Sequence, residues 1–313
     1  MNIYEIDDWQ PLESPFSRSC ELLPSPSSSQ SQIWNHFWHN SLGKIGIFLL
    51  IPILLFIFIG PSLSGYQPDT LHLAYKNQPP STLFWFGTDD LGRDIFTRIW
   101  YGARISLTVG FLAALIDLGI GLLWGGLSGL AGGRIDEALM RCADILYSLP
   151  YLLIVILLIV VLGSALSSLL VAITLTGWMT MARIVRGQIL LLKEMDYIMA
   201  ARALGASSTR LLFSHLLPNA MGPILITLTL TIPSAIFSEA FLSFLGLGIQ
   251  APQASWGTMA NEGLPALQFY PWRLLFPAFF ISQTMLAFHL IGEGLKFAFD
   301  QGTSETHYDT TFA

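Results

Sequence analysis

Six apolar stretches, each close to the length needed to cross a lipid bilayer, constrain this chain more than any other feature of its sequence. They cover residues 45–59, 105–129, 145–162, 166–183, 224–247 and 274–297. A helix rising about 1.5 Å per residue needs about 20 apolar residues to span the hydrocarbon. Composition agrees. The 313 residues are 53% hydrophobic and only 12% charged, where soluble domains carry about 25% charge. The expected fold is therefore all-α: a polytopic membrane protein of about six transmembrane helices.

Charge placement predicts the orientation. Lys and Arg favour the cytoplasmic side of short loops. Setting both termini inside puts Lys44, Arg134, Arg141, Arg183, Arg186, Lys193, Arg202, Arg210 and Lys296 there. Outside remain Lys76, Arg93, Arg98, Arg104 and Arg273. The loop 196–219 is then cytoplasmic and the loop 61–104 external. The first 40 residues are acidic and Ser/Pro-rich, which reads as a disordered cytoplasmic tail over 1–43 rather than a signal peptide. A first span with its outer loop and an interfacial helix then covers 44–103. A membrane core occupies 104–299, and 300–313 forms a cytoplasmic C-terminal tail.

The net charge of −6 and the absence of a basic stripe exclude a nucleic-acid partner. Cys20 and Cys142 lack a CxxC or Cys/His setting, so neither zinc nor redox chemistry is expected. No cofactor is implied. The only Gly-Lys pair, Gly43-Lys44, lacks the rest of a phosphate-binding loop, so the chain is not expected to hydrolyse ATP or to be an enzyme.

Within the spans, Asp117, Gly121, Gly125, Gly129 and Gly133 recur every fourth residue. Small residues at that spacing let another helix approach closely, and a charge on the same face should point into protein. The stripe either packs a helix or flanks a path. Ala235, Glu239, Ser243 and Gly246 repeat the theme, as do Ser282, Leu286, His289 and Glu293. His289 and Glu293 also stand at a metal-ligand spacing, though helix contacts or interfacial water explain them without a metal. Asp89, Asp90 and Asp94 lack the spacing of a calcium loop and read as a capped turn. That turn leads into an amphipathic interfacial helix with Ile95, Phe96, Ile99 and Trp100 on its apolar side.

The segment 196–219 reads DYIMAARALGASSTRLLFSHLLPN. Asp196 is expected to cap a short helix, Gly205 to supply a left-handed turn, Ser207 or Ser208 to cap a second helix, and Pro218 to stop it. The result is too polar to span a membrane, and its small residues permit a partner to come close. A DNA-binding reading would need more basic residues than Arg202 and Arg210.

Here the sequence resembles a known family. Ala200, Ala201, Gly205, His215, Leu217 and Pro218 fall at the spacing of the loop by which ABC importer permeases dock on their ATPase. Met199 stands where that family usually has Glu, so the resemblance carries over docking geometry and no salt bridge from that position. Three more stretches resemble the C-type permease of dipeptide, oligopeptide and nickel importers. They are Phe86-Gly87-Thr88-Asp89-Asp90-Leu91-Gly92-Arg93-Asp94 with Tyr101 to Leu107, Arg141 to Ile145 with Ser148-Leu149-Pro150, and Glu239 to Gly248 with Ser255-Trp256-Gly257. Gly292-Glu293 and Asp300-Gln301 depart from the family's usual Gly-Asp and Asp-Pro.

The resemblance implies a type I ABC importer permease fold in the bacterial inner membrane, forming half of a translocation path. It implies four kinds of partner: a homologous B-type permease subunit, two ABC ATPase subunits, an extracytoplasmic solute-binding protein, and membrane lipid. Peptide is the expected cargo, with nickel, glutathione or another small solute equally compatible with the helices. An intramembrane enzyme would need a nucleophile, an acid pair or a metal cluster at membrane depth, and no such motif is present. An ion-coupled carrier accommodates buried acids but not the docking loop.

Overall fold

The computed structural model describes residues 26–163, 165–249 and 253–309. Among these, every regular element longer than an isolated bridge is helical. Helix α1 is Pro26–His39 and α2 is Ser41–Ser64. After the loop 65–94 come α3, Ile95–Ala131, then α4, Gly133–Ser148, α5, Tyr151–Leu162, and α6, Leu166–Leu192. Two short helices follow, α7, Asp196–Ala203, and α8, Ser208–Leu211. A π-helical turn, Leu212–Leu216, joins α8 to α9, Leu217–Phe244. The chain closes with α10, Trp256–Gly263, and α11, Trp272–Asp309.

Among the described residues five helices are long and apolar enough to cross a membrane: 41–64, 95–131, 166–192, 208–244 and 272–300. The sixth expected span is not one straight helix. Helices α4 and α5 meet at a bend of 82°, because Pro150 cannot continue a helix and pushes Leu149 to extended backbone. The amphipathic α4 and the apolar α5 are together, as a bent pair, long and apolar enough for a span.

The α3–α6 contact shows how sequence spacing becomes packing. Gly121 lies against Met181, Gly125 against Ala182 and Val185, and Gly129 against Ile189 and the Arg186 carbonyl. The four-residue period of α3 thus meets a matching period on α6, and backbones approach because the glycines have no side chain. Gly133 does not continue the stripe. Helix α3 ends at Ala131, and Gly132 and Gly133 both turn with positive φ, no atom lying within 4 Å of where a Gly133 side chain would begin. Gly246 likewise falls beyond its helix, in a left-handed turn after α9.

Several expected boundaries moved. The disordered tail was expected over 1–43; residues 1–25 lie outside the described residues, and over the remainder α1 and the start of α2 are helical. Cys20 also lies outside the described residues, while Cys142 is a free, exposed thiol. At the other end α11 runs on to Asp309, so the expected 300–313 tail begins as helix. Ser282, Leu286 and His289 face outward and Glu293 is half-buried, so that face of α11 is not a packed one. Among the described residues no cluster of His, Cys, Asp or Glu could hold a metal.

The interfacial helix is a correction of greater consequence. Ile95, Phe96, Ile99 and Trp100 do not lie on a membrane surface. They begin α3 itself and are buried, with Ile53 and Ile57 of α2, Trp256 and Met259 of α10, and Phe280 of α11 in one cluster. A 37-residue helix is roughly 55 Å long, well beyond the ~30 Å hydrocarbon. Its N-terminal turns serve as the post on which α2, α10 and α11 pack.

Candidate functional site

Above that post, the acidic turn is knitted to α10 and α11. Asp94 caps α3, accepting from the Thr97 backbone N–H at 2.9 Å and the Thr97 hydroxyl at 2.6 Å. Asp89 accepts from Arg93 Nε at 2.6 Å and Arg98 Nη1 at 2.5 Å, and Arg98 also reaches Glu262 at 2.8 Å. Burial alone would raise the Asp89 carboxyl, but the Arg98 and Arg93 guanidiniums outweigh it and hold it below the ordinary value. The capped turn expected here is what the residues form, and the arginines rather than a cation satisfy Asp89.

Glu239 sits in α9 with no exposure. Its two oxygens accept from the Ser106 hydroxyl at 2.8 Å and the Ser243 hydroxyl at 2.7 Å. The Trp256 backbone N–H donates to the same Ser106 oxygen at 3.3 Å. Glu239 and Ser243 therefore hold α3, α9 and α10 together; they do not face an open path.

An open groove of about 770 Å³ lies between α3, the α4–α5 bend, α6 and α9. Asp117 lines it, with Tyr147 and Tyr151 from the bend. Helix α6 contributes Thr176, Gly177 and Thr180, and α9 contributes Thr227, Thr231, Ser234 and Ser238. Asp117 is the only formally charged residue of that lining. The stripe thus divides: Gly121, Gly125 and Gly129 pack, and Asp117, almost wholly buried against Gly177, borders the groove. The hydroxyl residues were not singled out from the sequence. Thr227, Thr231, Ser234 and Ser238 recur at spacings of four, three and four, which marks one polar face in an apolar helix and was there to be read.

The segment between α6 and α9 forms a compact protrusion. Gly205 has φ +86°, ending α7 with the left-handed turn expected of it. The Ser207 hydroxyl accepts from the Arg210 N–H at 3.4 Å and caps α8. Two expectations fail here. Asp196 is the first residue of α7 and makes no cap bond; Met195 occupies the cap position. Pro218 does not stop the second helix but lies in the first turn of α9. The π turn at Leu212–Leu216 widens the helix just before it, where a proline lacking an N–H is tolerated. Ala200, Gly205 and Pro218 are exposed, Ala201, His215 and Leu217 half-buried. The Asn219 amide donates to the His215 carbonyl at 2.7 Å and the Tyr197 hydroxyl at 3.3 Å, tying both ends of the protrusion together.

Among the described residues, five long helices and one bent pair, grooved on one side and carrying a helical protrusion between two groove helices, make the fold of a polytopic membrane protein. The solved fold of an inward-facing MetNI methionine ABC transporter matches 63% of this chain and 96% of that one, at TM-score 0.51 and 19% identity, which speaks to fold alone.

Sequence comparison specifies the family. Residues 120–305 match the binding-protein-dependent transport system inner membrane component family, and residues 29–80 match the N-terminal TM domain of oligopeptide transport permease C. The chain is 56% identical to the oligopeptide transport system permease protein OppC of Bacillus subtilis, covering 84% of this chain and 87% of that one. It is 52% identical to the dipeptide permease protein DppC of the same organism, covering 94% and 92%. With the Escherichia coli K12 OppC the identity is 41%, covering 84% and 88%. The chain belongs to the binding-protein-dependent transport system inner membrane component family. It is a multi-pass inner-membrane permease of an ABC importer, a system in which ATP hydrolysis resides in separate subunits and a binding protein delivers the cargo.

Proposed function

We propose that this chain forms one half of the path by which peptides enter the cell, paired with a homologous B-type permease and driven by two ATPase subunits that dock on the protrusion between α6 and α9. The cargo follows from the oligopeptide and dipeptide permeases that it resembles over most of its length. Both termini lie on the cytoplasmic side, in keeping with the distribution of Lys and Arg.

The observation that carries the docking assignment is the number of large apolar side chains that the protrusion leaves exposed. Leu204 is 89% exposed, and Met195, Tyr197 and Met199 on the same segment are each about half exposed. Large apolar side chains left exposed on a short helical segment mark a protein contact. Met199 belongs to that surface, so the contact is apolar where relatives with Glu would add a charge. Because α6 and α9 both line the groove and both enter the protrusion, a push there reaches the path through two rigid helices.

The test is Gly205→Trp. No atom of this chain lies within 4 Å of the added Cβ, so the cost within the chain is the left-handed backbone, roughly 1–2 kcal/mol. The assembled complex should form, with uptake of peptide no longer following ATP hydrolysis. Normal ATP-driven uptake by an assembled Gly205→Trp complex would refute the docking assignment.

A further inference from the structure

We infer that the groove carries a subsite for a protonated amine of the cargo, with Asp117 as its anion. The inference deepens the peptide-permease reading and rests on it.

Asp117 lies midway along α3, is 2% exposed, and its Oδ1 accepts no hydrogen bond. Asp94 Oδ1 is likewise without a partner, but each of the other deeply buried carboxylates is held through at least one oxygen, and among the described residues no hydrogen bond reaches Asp117. Asp89 is held by Arg93 and Arg98, Asp94 by Thr97, Asp136 by Arg186 and Ser128, and Glu239 by Ser106 and Ser243. A buried acid lacking a partner is costly. An acid kept only for packing gains nothing by lining an open groove.

The carboxylate is also positioned. It occupies a notch in α6 left by Gly177, where even a single Cβ would run into it. Around it the groove offers acceptors. Thr227, Thr231 and Ser234 each donate their proton to a carbonyl one turn back in α9, at 2.8, 2.9 and 3.0 Å. Their lone pairs are what remain to a guest. A lining of hydroxyls, three of them with only lone pairs to offer, with one anion and no cation among its residues, fits a ligand rich in N–H groups and carrying positive charge. A peptide with a free amino terminus has both. A metal cation would need further charged ligands near Asp117, and none lines the groove.

The test uses the assembled, nucleotide-free importer in detergent, without binding protein, and equilibrium dialysis of radiolabelled tetra-alanine and its N-acetylated form. Wild type should bind the free amine about 10- to 100-fold more tightly, as a charge-assisted hydrogen bond predicts. Asp117→Asn should bind both forms equally weakly. Gly177→Ala, which displaces the carboxylate and keeps its charge, should also narrow the ratio, and it decides the matter if Asp117→Asn does not assemble. Equal binding of the two forms by wild type, binding of neither, or an unchanged ratio in the variants overturns the subsite. ATP-driven uptake of tetra-alanine, measured in parallel with the binding protein present, keeps the two readings apart. Uptake without amine discrimination removes the subsite alone, while no uptake of any peptide removes the peptide-permease reading itself.

Discussion

Gly125 and Gly126 are adjacent in α3, yet a methyl group added to each should act in opposite directions. At Gly125 the new Cβ would overlap the Ala182 carbonyl oxygen and stand 3.0 Å from the Ala182 carbonyl carbon and Val185 Cβ. Those obstacles are backbone and a β-branched side chain, so the helices themselves must separate. At Gly126 the nearest atoms are the Leu212 methyls at 3.7 Å and Ile189 Cδ1 at 4.0 Å, ordinary van der Waals contact. Replacing Gly by Ala within a helix gains roughly 0.5–1 kcal/mol through backbone entropy. That gain is common to both variants and cancels in their difference. What survives is the overpacking at Gly125, about 1–3 kcal/mol, or about 5- to 150-fold in the unfolding equilibrium. Reversible SDS-induced unfolding in mixed micelles, followed by circular dichroism, measures that difference directly. Gly126→Ala should unfold at higher SDS than wild type and Gly125→Ala at lower. Equal midpoints for the two variants would show that the α3–α6 contact is not as close as described.

The acidic turn before α3 should respond to acid in a defined window. Because Asp89 is held below its ordinary value by Arg98 and Arg93, its contribution is complete above about pH 4 and is lost as pH falls through its lower folded value. Hydrogen-exchange protection of residues 87–94, taken relative to the intrinsic rate at each pH, should fall only in that acid range, and Asp89→Asn should flatten the response; loss of protection at neutral pH would contradict the pairing. On the opposite side of the membrane, Asp136 accepts two bonds from Arg186, at 2.5 and 2.6 Å. A double-mutant cycle with Asp136→Asn and Arg186→Gln should return a coupling of about 1–3 kcal/mol, and strictly additive effects on unfolding would show the pair to be incidental.

Much of this molecule was legible one residue at a time. The six apolar stretches, the glycine period, the turn at Gly205 and the loop spacing all express local rules: a hydrocarbon thickness, a helical repeat, a φ that only glycine takes easily. What could not be read depends on which surfaces meet. Ile95, Phe96, Ile99 and Trp100 look the same in sequence whether they face lipid headgroups or a protein core. Only the packing of α2, α10 and α11 around them settled it. Pro218 reads as a stop, since a proline's effect depends on the turn preceding it, and the π turn at Leu212–Leu216 carries the helix past. Asp117 and Glu239 are both acids on small-residue faces. One is enclosed by Ser106 and Ser243, and the other lies in the Gly177 notch beside the groove. The sequence by itself determined that this chain lives in a membrane as a set of helices, because lipid penalises every unpaired backbone group in the same way. The tertiary structure alone decided which buried acid is a fastening and which is left free to meet a guest, because that depends on Ser106 and Gly177, brought from 60 or more residues away.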